Sequence, residues 1–399
     1  MANKNGGFIG TDGLDAPDPP TIDSATAGNE KVSVAFTAPT DTGTSAITGF
    51  VVQVSTDGTD YSAGSATGTS SPIEVSSLTN DTAATAKVWA INVYGTSAPS
   101  DASSSFTPFV QTRGIFAGGS NNNTMDYINI TSTGDATDFG DMQAGNIDVS
   151  SASNAITGLI STKRDTGTQS VNTTDSITIA TTGNASNFGN LTVSRAGGMG
   201  CSNSTRAIFQ GGKSSSTDYN TIDFATIGTT GSFSDFGDLT QSRGSMHDGG
   251  VNSSTRGIAA GGYREGAGSN SNVIDYITMA SAGDATDFGD LVRSKYYMAG
   301  ASSSTRGLFA GGDNNSTEIM YITIGTTGNT TDFGDCTSLN GRGGVCTKTR
   351  AVFGGGDSGP SNVMDYVTIA STGDTTDFGD LTVARAYLAG VSGDHGGIA

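Results

Sequence analysis

Acidic residues spaced three apart recur along this sequence: Asp135, Asp138 and Asp141; Asp284, Asp287 and Asp290; Asp374, Asp377 and Asp380. Oxygen-rich spacing of this kind is calcium chemistry. Along an extended strand, residues three apart point to opposite faces, so a shared ion needs the backbone to turn between them. In the second copy the three become Asn184, Asn187 and Asn190, which carry no charge. A second candidate is His247 beside Asp248 in "MHDGG", but strand neighbours face apart. His247 and His395 are the only histidines, and neither lies in a nucleophile motif. No G-x-x-x-x-G-K-[ST] phosphate loop is present. Two carboxylates would suffice for a glycosidase. Here, however, the carboxylates repeat along the chain, whereas an active site should break the repeat. No residue is assigned a catalytic or metal-ligating role and no cofactor is required; calcium is the one ion the spacing allows.

The arginines offer a structural account of the same acids. Ten of the twelve occupy two repeat positions: Arg113, Arg206, Arg256, Arg306 and Arg350, then Arg195, Arg243, Arg293, Arg342 and Arg385. A guanidinium carries five donors and can tie a carboxylate and turn carbonyls together. The hexapeptide "TDFGDL" (Thr286–Leu291, Thr376–Leu381) and its four near-copies are therefore expected to be scaffold. Its Asp should pair with Arg, and its Phe should pack between neighbouring sheets.

The elements that position these residues are short strands. The chain has 399 residues, 34% of them hydrophobic and only 14% charged, with 59 Gly. Short strands joined by many tight turns account for the Gly, Asn, Asp and Thr better than disorder does. The net charge is −19, and Glu30, Glu74, Glu265 and Glu318 are the only Glu, so the acidity is largely that of turn-forming Asp. It argues against nucleic-acid partners, which require clustered Lys and Arg, and against docking on anionic lipid. No apolar run approaches the ~20 residues that span a bilayer. Cys201, Cys336 and Cys346 are an odd set without metal-ligand spacing. The opening "MANKNGGFIGTDG" lacks an apolar signal-peptide core, so synthesis in the cytoplasm without secretion by that route is expected.

Seven of the eight prolines precede residue 110, which marks a boundary. Before it, after an extended leader over 1–15, "KVSVAFTAP", "ITGFVVQVSTDG", "SPIEVSSLTNDT" and "AKVWAINVYGTSAPS" read as the strands of a sandwich. With the entry prolines, Phe36, Leu78 and "VWAINVYGTSAPS", residues 16–108 resemble a fibronectin type III domain, although Ala84 stands where that family has its corner Tyr.

After Thr112 the hexapeptide Phe falls at Phe139, Phe188, Phe236, Phe288, Phe333 and Phe378, in steps of 49, 48, 52, 45 and 45. Periods of this length belong to propeller blades. Each repeat has a strand ending in Gly-Gly (in five of six), an aromatic strand, the hexapeptide and a downstream Arg. Residues 112–399 thus resemble kelch repeats, which implies an all-β, six-bladed propeller. The first repeat lacks a preceding strand, and the final "YLAGVSGDHGGIA" is expected to supply it and close the ring.

Features that break the repeat are the better candidates for binding. The loop after the Gly pair varies, and in the fourth repeat it carries Tyr263, Arg264 and Glu265. The second repeat replaces the Gly pair with "LISTKRDTGTQSVNTTD", bringing Lys163, Arg164 and Asp165. Aromatic and polar residues on adaptable loops suit glycan or protein contacts. The leader, the Ser/Thr/Ala-rich sandwich and the "TRGIFAGG…MDYITIASTGDATDFGDL" repeats together resemble virion structural proteins of marine bacteriophages such as cyanophages. That resemblance implies a non-enzymatic tail or appendage protein present in several copies. The leader and sandwich would attach to other virion proteins, while the propeller would meet host surface glycan or protein. Rival readings are a purely architectural subunit on neck or capsid, a carbohydrate-active enzyme acting on host polysaccharide, and a cellular kelch-type interaction module.

Overall fold

In the computed structural model the chain forms two compact units, Met1–Gln111 and Thr112–Ala399. The structure describes residues 15–398 except 29, 81, 109–111, 162–171, 215–216, 249–250, 314–315, 338–339 and 358. The leader up to residue 14 and the candidates Lys163, Arg164 and Asp165 therefore lie outside the described residues. The fold is all-β, built from small antiparallel sheets. Its one helical element among the described residues is the 3-10 turn Glu265–Ala267. Among the described residues no helix is long and apolar enough to cross a membrane.

Among the described residues the first unit holds two sheets. One pairs Thr21–Gly28, Lys31–Thr37 and Ile73–Val75; the other orders Gly64–Gly68, Gly49–Ser55, Thr85–Asn92 and Gly95–Thr96. "KVSVAFT" alternates as a half-buried strand must, with Val32, Val34 and Phe36 inward. They pack in one core with Phe50, Val52, Val54, Val88 and Ala90. After the last strand the chain runs back along Thr85–Asn92. There the hydroxyls of Ser97, Ser100 and Ser103 accept from the N–H groups of Ala90, Val88 and Ala86. Serine at every third residue thus satisfies backbone donors that an edge would leave open.

The second unit holds six four-stranded sheets. The fourth is representative: Val251–Asn252, Arg256–Ala260, Val273–Thr278 and Thr286–Asp290, in that order. In the first sheet the chain contributes Arg113–Ala117, Asn122–Asn129 and Thr137–Asn146. Its fourth strand is Ala389–Ser392, whose Val391 pairs with Ile115. The C-terminal strand therefore completes the first sheet.

The hexapeptide is the seam between consecutive sheets. Phe139 O accepts from Gly183 N at 2.7 Å, and Phe188, Phe236, Phe288 and Phe333 accept in turn from Gly231, Gly283, Gly328 and Gly373. Phe378 then accepts from Gly134 at 2.8 Å, returning from the sixth sheet to the first. The hexapeptide Gly permits this approach: a Cβ on Gly289 (φ +146°) would lie 2.5 Å from Gly328 O. The Phe rings are buried; Phe288 is 2% exposed and packs in a core shared with side chains of the third and fifth sheets.

Candidate functional site

Charged side chains stitch the same seams. Arg113, Arg256, Arg306 and Arg350 each lie over a tyrosine of their own sheet (Tyr127, Tyr276, Tyr321, Tyr366), and Arg206 lies over Phe224. Each then donates from Nη1 to a carbonyl of the following sheet, as Arg256 does to Ile324 O at 3.0 Å. Such ring contacts contribute about 0.5–1 kcal/mol each at exposed sites.

The second arginine set corrects two expectations. Its partners are not the hexapeptide carboxylates but the Asp in the strand that precedes the hexapeptide strand of the next sheet. Arg195–Asp223 (2.8 Å), Arg243–Asp275 (2.7 Å), Arg342–Asp365 (2.9 Å) and Arg385–Asp126 (3.0 Å) are all buried. Among the acid triads, Asp135, Asp284 and Asp374 instead accept from the backbone N–H of Asp380, Asp238 and Asp335 across the seam. Arg293 does not belong to the set: it is exposed, and Lys295 takes the buried position and pairs with Glu318 at 3.3 Å. The physical reason is that Met320 replaces the strand Asp in that sheet, so a guanidinium there would face a thioether. Among the described residues no group of three or more His, Cys, Asp or Glu is gathered as for a metal ion.

Where the repeats are irregular, side chains converge inside the unit and at one end of it. The first strands of the six sheets run close together: a Cβ on Gly344 would lie 2.1 Å from Gly300 O, and one on Gly390 would lie 2.2 Å from Gly344 O. They surround a cavity of about 40 Å³ lined by Ser151, Cys201, Asp248, Asn252, Ser302 and His395, among others. The third repeat is two residues longer at this point (Ser245–Asn252 against Tyr297–Ser302), and the extra length carries Asp248 inward. Its carboxyl accepts from Gly390 N (2.7 Å), Gly344 N (3.3 Å) and Ser151 Oγ (2.9 Å). Burial nevertheless pushes its pKa up to about 8. His247 and Asp248 do not lie in a strand: His247 holds left-handed backbone (φ 64°) and is buried, which pushes its pKa down to about 4.

The other end of this interior is closed by "DHGGI". His395 Nδ1 accepts from Gly397 N (3.1 Å) and from Asn252 Nδ2 (3.0 Å), while Nε2 lies 2.8 Å from Ser153 O. Two donors at Nδ1 and a carbonyl at Nε2 assign the neutral Nε2–H tautomer. Gly396 and Gly397 are required here, because a Cβ on either would meet Ser303 O or Ser202 O at 2.1 and 1.9 Å.

At the end occupied by His247, four half-buried tyrosine rings run together in contact with the buried imidazole. Tyr297 and Tyr387 meet edge to face with ring centroids 4.9 Å apart, and His247 meets both edge-on at 6.0 and 6.1 Å. Tyr296 continues the run at 4.8 Å from Tyr297, and Tyr263 lies 5.9 Å beyond it. Tyr297 (φ 59°) and Tyr387 (φ 62°) hold left-handed backbone where other repeats place Asp148, Gly197, Ser245 and Gly341. A tyrosine there is strained by about 1–3 kcal/mol, the kind of cost that clusters at functional sites. Gly341 makes the pairing possible, since a Cβ would lie 2.7 Å from the Tyr387 ring. The Tyr387 hydroxyl donates to Asp357 at 2.7 Å, and burial with that carboxylate pushes its pKa above the usual phenol range.

Of the residues expected from sequence, Tyr263 thus joins the surface. Arg264 and Glu265 stand exposed on the hairpin Tyr263–Asn270, with Glu265 N bonded to Asp218. Tyr296, Tyr297, Tyr387 and the buried His247 were not singled out for binding. Aligning the six repeats in register carries the signal: two tyrosines at a Gly, Ser or Asp position, beside a two-residue insertion. No family model matches the chain, and no curated protein matches it in sequence.

Proposed function

We propose that residues 112–399 form a six-bladed, kelch-like β-propeller and residues 16–108 a fibronectin type III-like sandwich. The hydrogen-bond circuit that returns from Phe378 to Gly134 supports the ring, with the C-terminal strand closing it. The three-plus-four pairing of the first unit supports the sandwich. We further propose a non-enzymatic virion protein of a bacteriophage, a tail or appendage component, whose propeller holds host-surface glycan on the tyrosine surface. The virion assignment rests on the resemblance of leader, sandwich and degenerate repeats.

The observation that carries the binding role is the run Tyr263–Tyr296–Tyr297–Tyr387. Tyrosines present large, rigid faces at low entropic cost, and such faces stack on sugar C–H surfaces while nearby carboxylates accept hydroxyl donors. Asp357 and Asp313 lie beside the run: Tyr387 bonds Asp357, and Tyr296 N bonds Asp313. With a net charge of −19, a neutral glycan fits better than an acidic one. The test is a glycan array and a whole-cell binding assay on the full chain, with and without calcium chelator. Saturable, chelator-insensitive binding to neutral glycans is expected. A folded chain that binds no array member and no cells would overturn the reading in favour of a purely architectural subunit.

A further inference from the structure

The position that carries Arg195, Arg243, Lys295, Arg342 and Arg385 exists in all six repeats, and in the first it is Asn146. Counted from the hexapeptide, Asn146 follows Met142 as Arg195 follows Leu191 and Arg243 follows Leu239. At the other five seams this cationic side chain reaches an acid of the next sheet. At the seam between the first and second sheets the acid is still in place, as Asp175, 9% exposed. The cation is not.

The amide is too short to replace a guanidinium. Asn146 is 4% exposed; its Nδ2 turns back to Ala144 O at 2.7 Å, and its Oδ1 has no partner. Among the described residues Asp175 receives only Gln143, through N (3.2 Å) and Nε2 (2.9 Å). A cavity of about 80 Å³ remains, lined by Met142, Gln143, Asn146, Thr173, Asp175 and Asn187. That is roughly the liquid volume of two to three waters. Burial holds the Asp175 carboxyl above its ordinary range.

We propose that this cavity is a binding site for a small hydrogen-bonding cation of the guanidinium or alkylammonium class, seated between Asp175 and Asn146 Oδ1. The carboxylate supplies the charge and a bidentate edge, and the orphan amide oxygen supplies a further acceptor. The site would reproduce with a solute what Arg195, Arg243, Arg342 and Arg385 do with side chains. It is independent of the glycan-binding role.

The experiment is thermal melting of the full chain, with isothermal titration, in guanidinium chloride well below denaturing concentrations. Methylammonium chloride is the second probe, and sodium chloride and urea are the controls. The expected result is a saturable rise in melting temperature with both cations and with neither control, from a single site. Asp175→Asn should weaken that binding at least about tenfold. Asn146→Arg should raise the melting temperature without any solute and abolish the response, which keeps the proposal testable if Asp175→Asn folds poorly. No saturable response in the wild type, or one that survives in Asn146→Arg, would overturn the site and leave a water-filled void. A response that appears only in Lys163→Ala/Arg164→Ala would place a side chain of this protein in the cavity and also overturn it.

Discussion

Burial sets the protonation of Asp248, His247 and His395, and the three pull stability in opposite directions with pH. The histidines are depressed from 6.5 to about 4, so between those values the unfolded chain binds two protons that the folded chain refuses. Their contribution is complete above pH 6.5 and is lost as pH falls toward 4. Asp248 is raised from 3.8 to about 8, so its neutral folded form contributes stability that is lost as pH rises through 8. Taken together, these groups favour the fold most near pH 6.5. Asp248→Asn is expected to remove the alkaline decline between about pH 6.5 and 8, about 2 kcal/mol by linkage, in melts recorded across that range. An unchanged decline would mean Asp248 is ionised in the folded protein. At this scale the sequence was half legible. It showed that Asp and Arg repeat together, but each repeat offers several Asp. Only burial distinguishes Asp275, fully inside, from the exposed Asp287.

The strands themselves were the most legible part, because a period near 48 residues and a Gly-Gly ending survive heavy sequence drift. The hexapeptide's role could also be read as structural, and its Phe does pack between sheets. What the pattern hid was which of its atoms matter: the Phe carbonyl and the glycine act more than the carboxylates. Gly289 has φ +146° and no room for a Cβ against Gly328. Gly289→Ala is therefore expected to destabilise the second unit by about 1–3 kcal/mol, read as a lower calorimetric melting temperature. A melt unchanged by that substitution would show that the seam tolerates separation. The exchange of Arg293 for Lys295 was hidden too, because a shift of two residues in an irregular segment does not disturb the count of charges.

For the second unit as a whole, the last strand was readable from the ends of the repeat region, whereas the interior plug was not. "DHGGI" matches no repeat, and its two glycines take meaning only from the carbonyls of Ser202 and Ser303 around them. Removing residues 387–399 should expose the edge of Arg113–Ala117 and unseat His395 together. The expected outcome is loss of a single cooperative transition for this unit and concentration-dependent association on size-exclusion chromatography, since an open edge templates pairing. A monomeric variant with wild-type melting would contradict the proposed closure of the ring by this strand.

The tyrosine surface follows from the same logic, because exceptions to the repeat gather where the scaffold has been altered at a cost. The measurement that tests this most directly is glycan binding and thermal melting, run in parallel on two variants. Phe288→Ala should lower the melting temperature strongly, by the equivalent of about 3–5 kcal/mol for a buried aromatic, while the folded fraction binds as the wild type does. Tyr297→Gly/Tyr387→Gly should lose binding at least about tenfold, with melting close to that of the wild type because glycine relieves the left-handed strain at both positions. Wild-type binding by the tyrosine variant, or lost binding by folded Phe288→Ala, would contradict the division between repeated scaffold and unrepeated site.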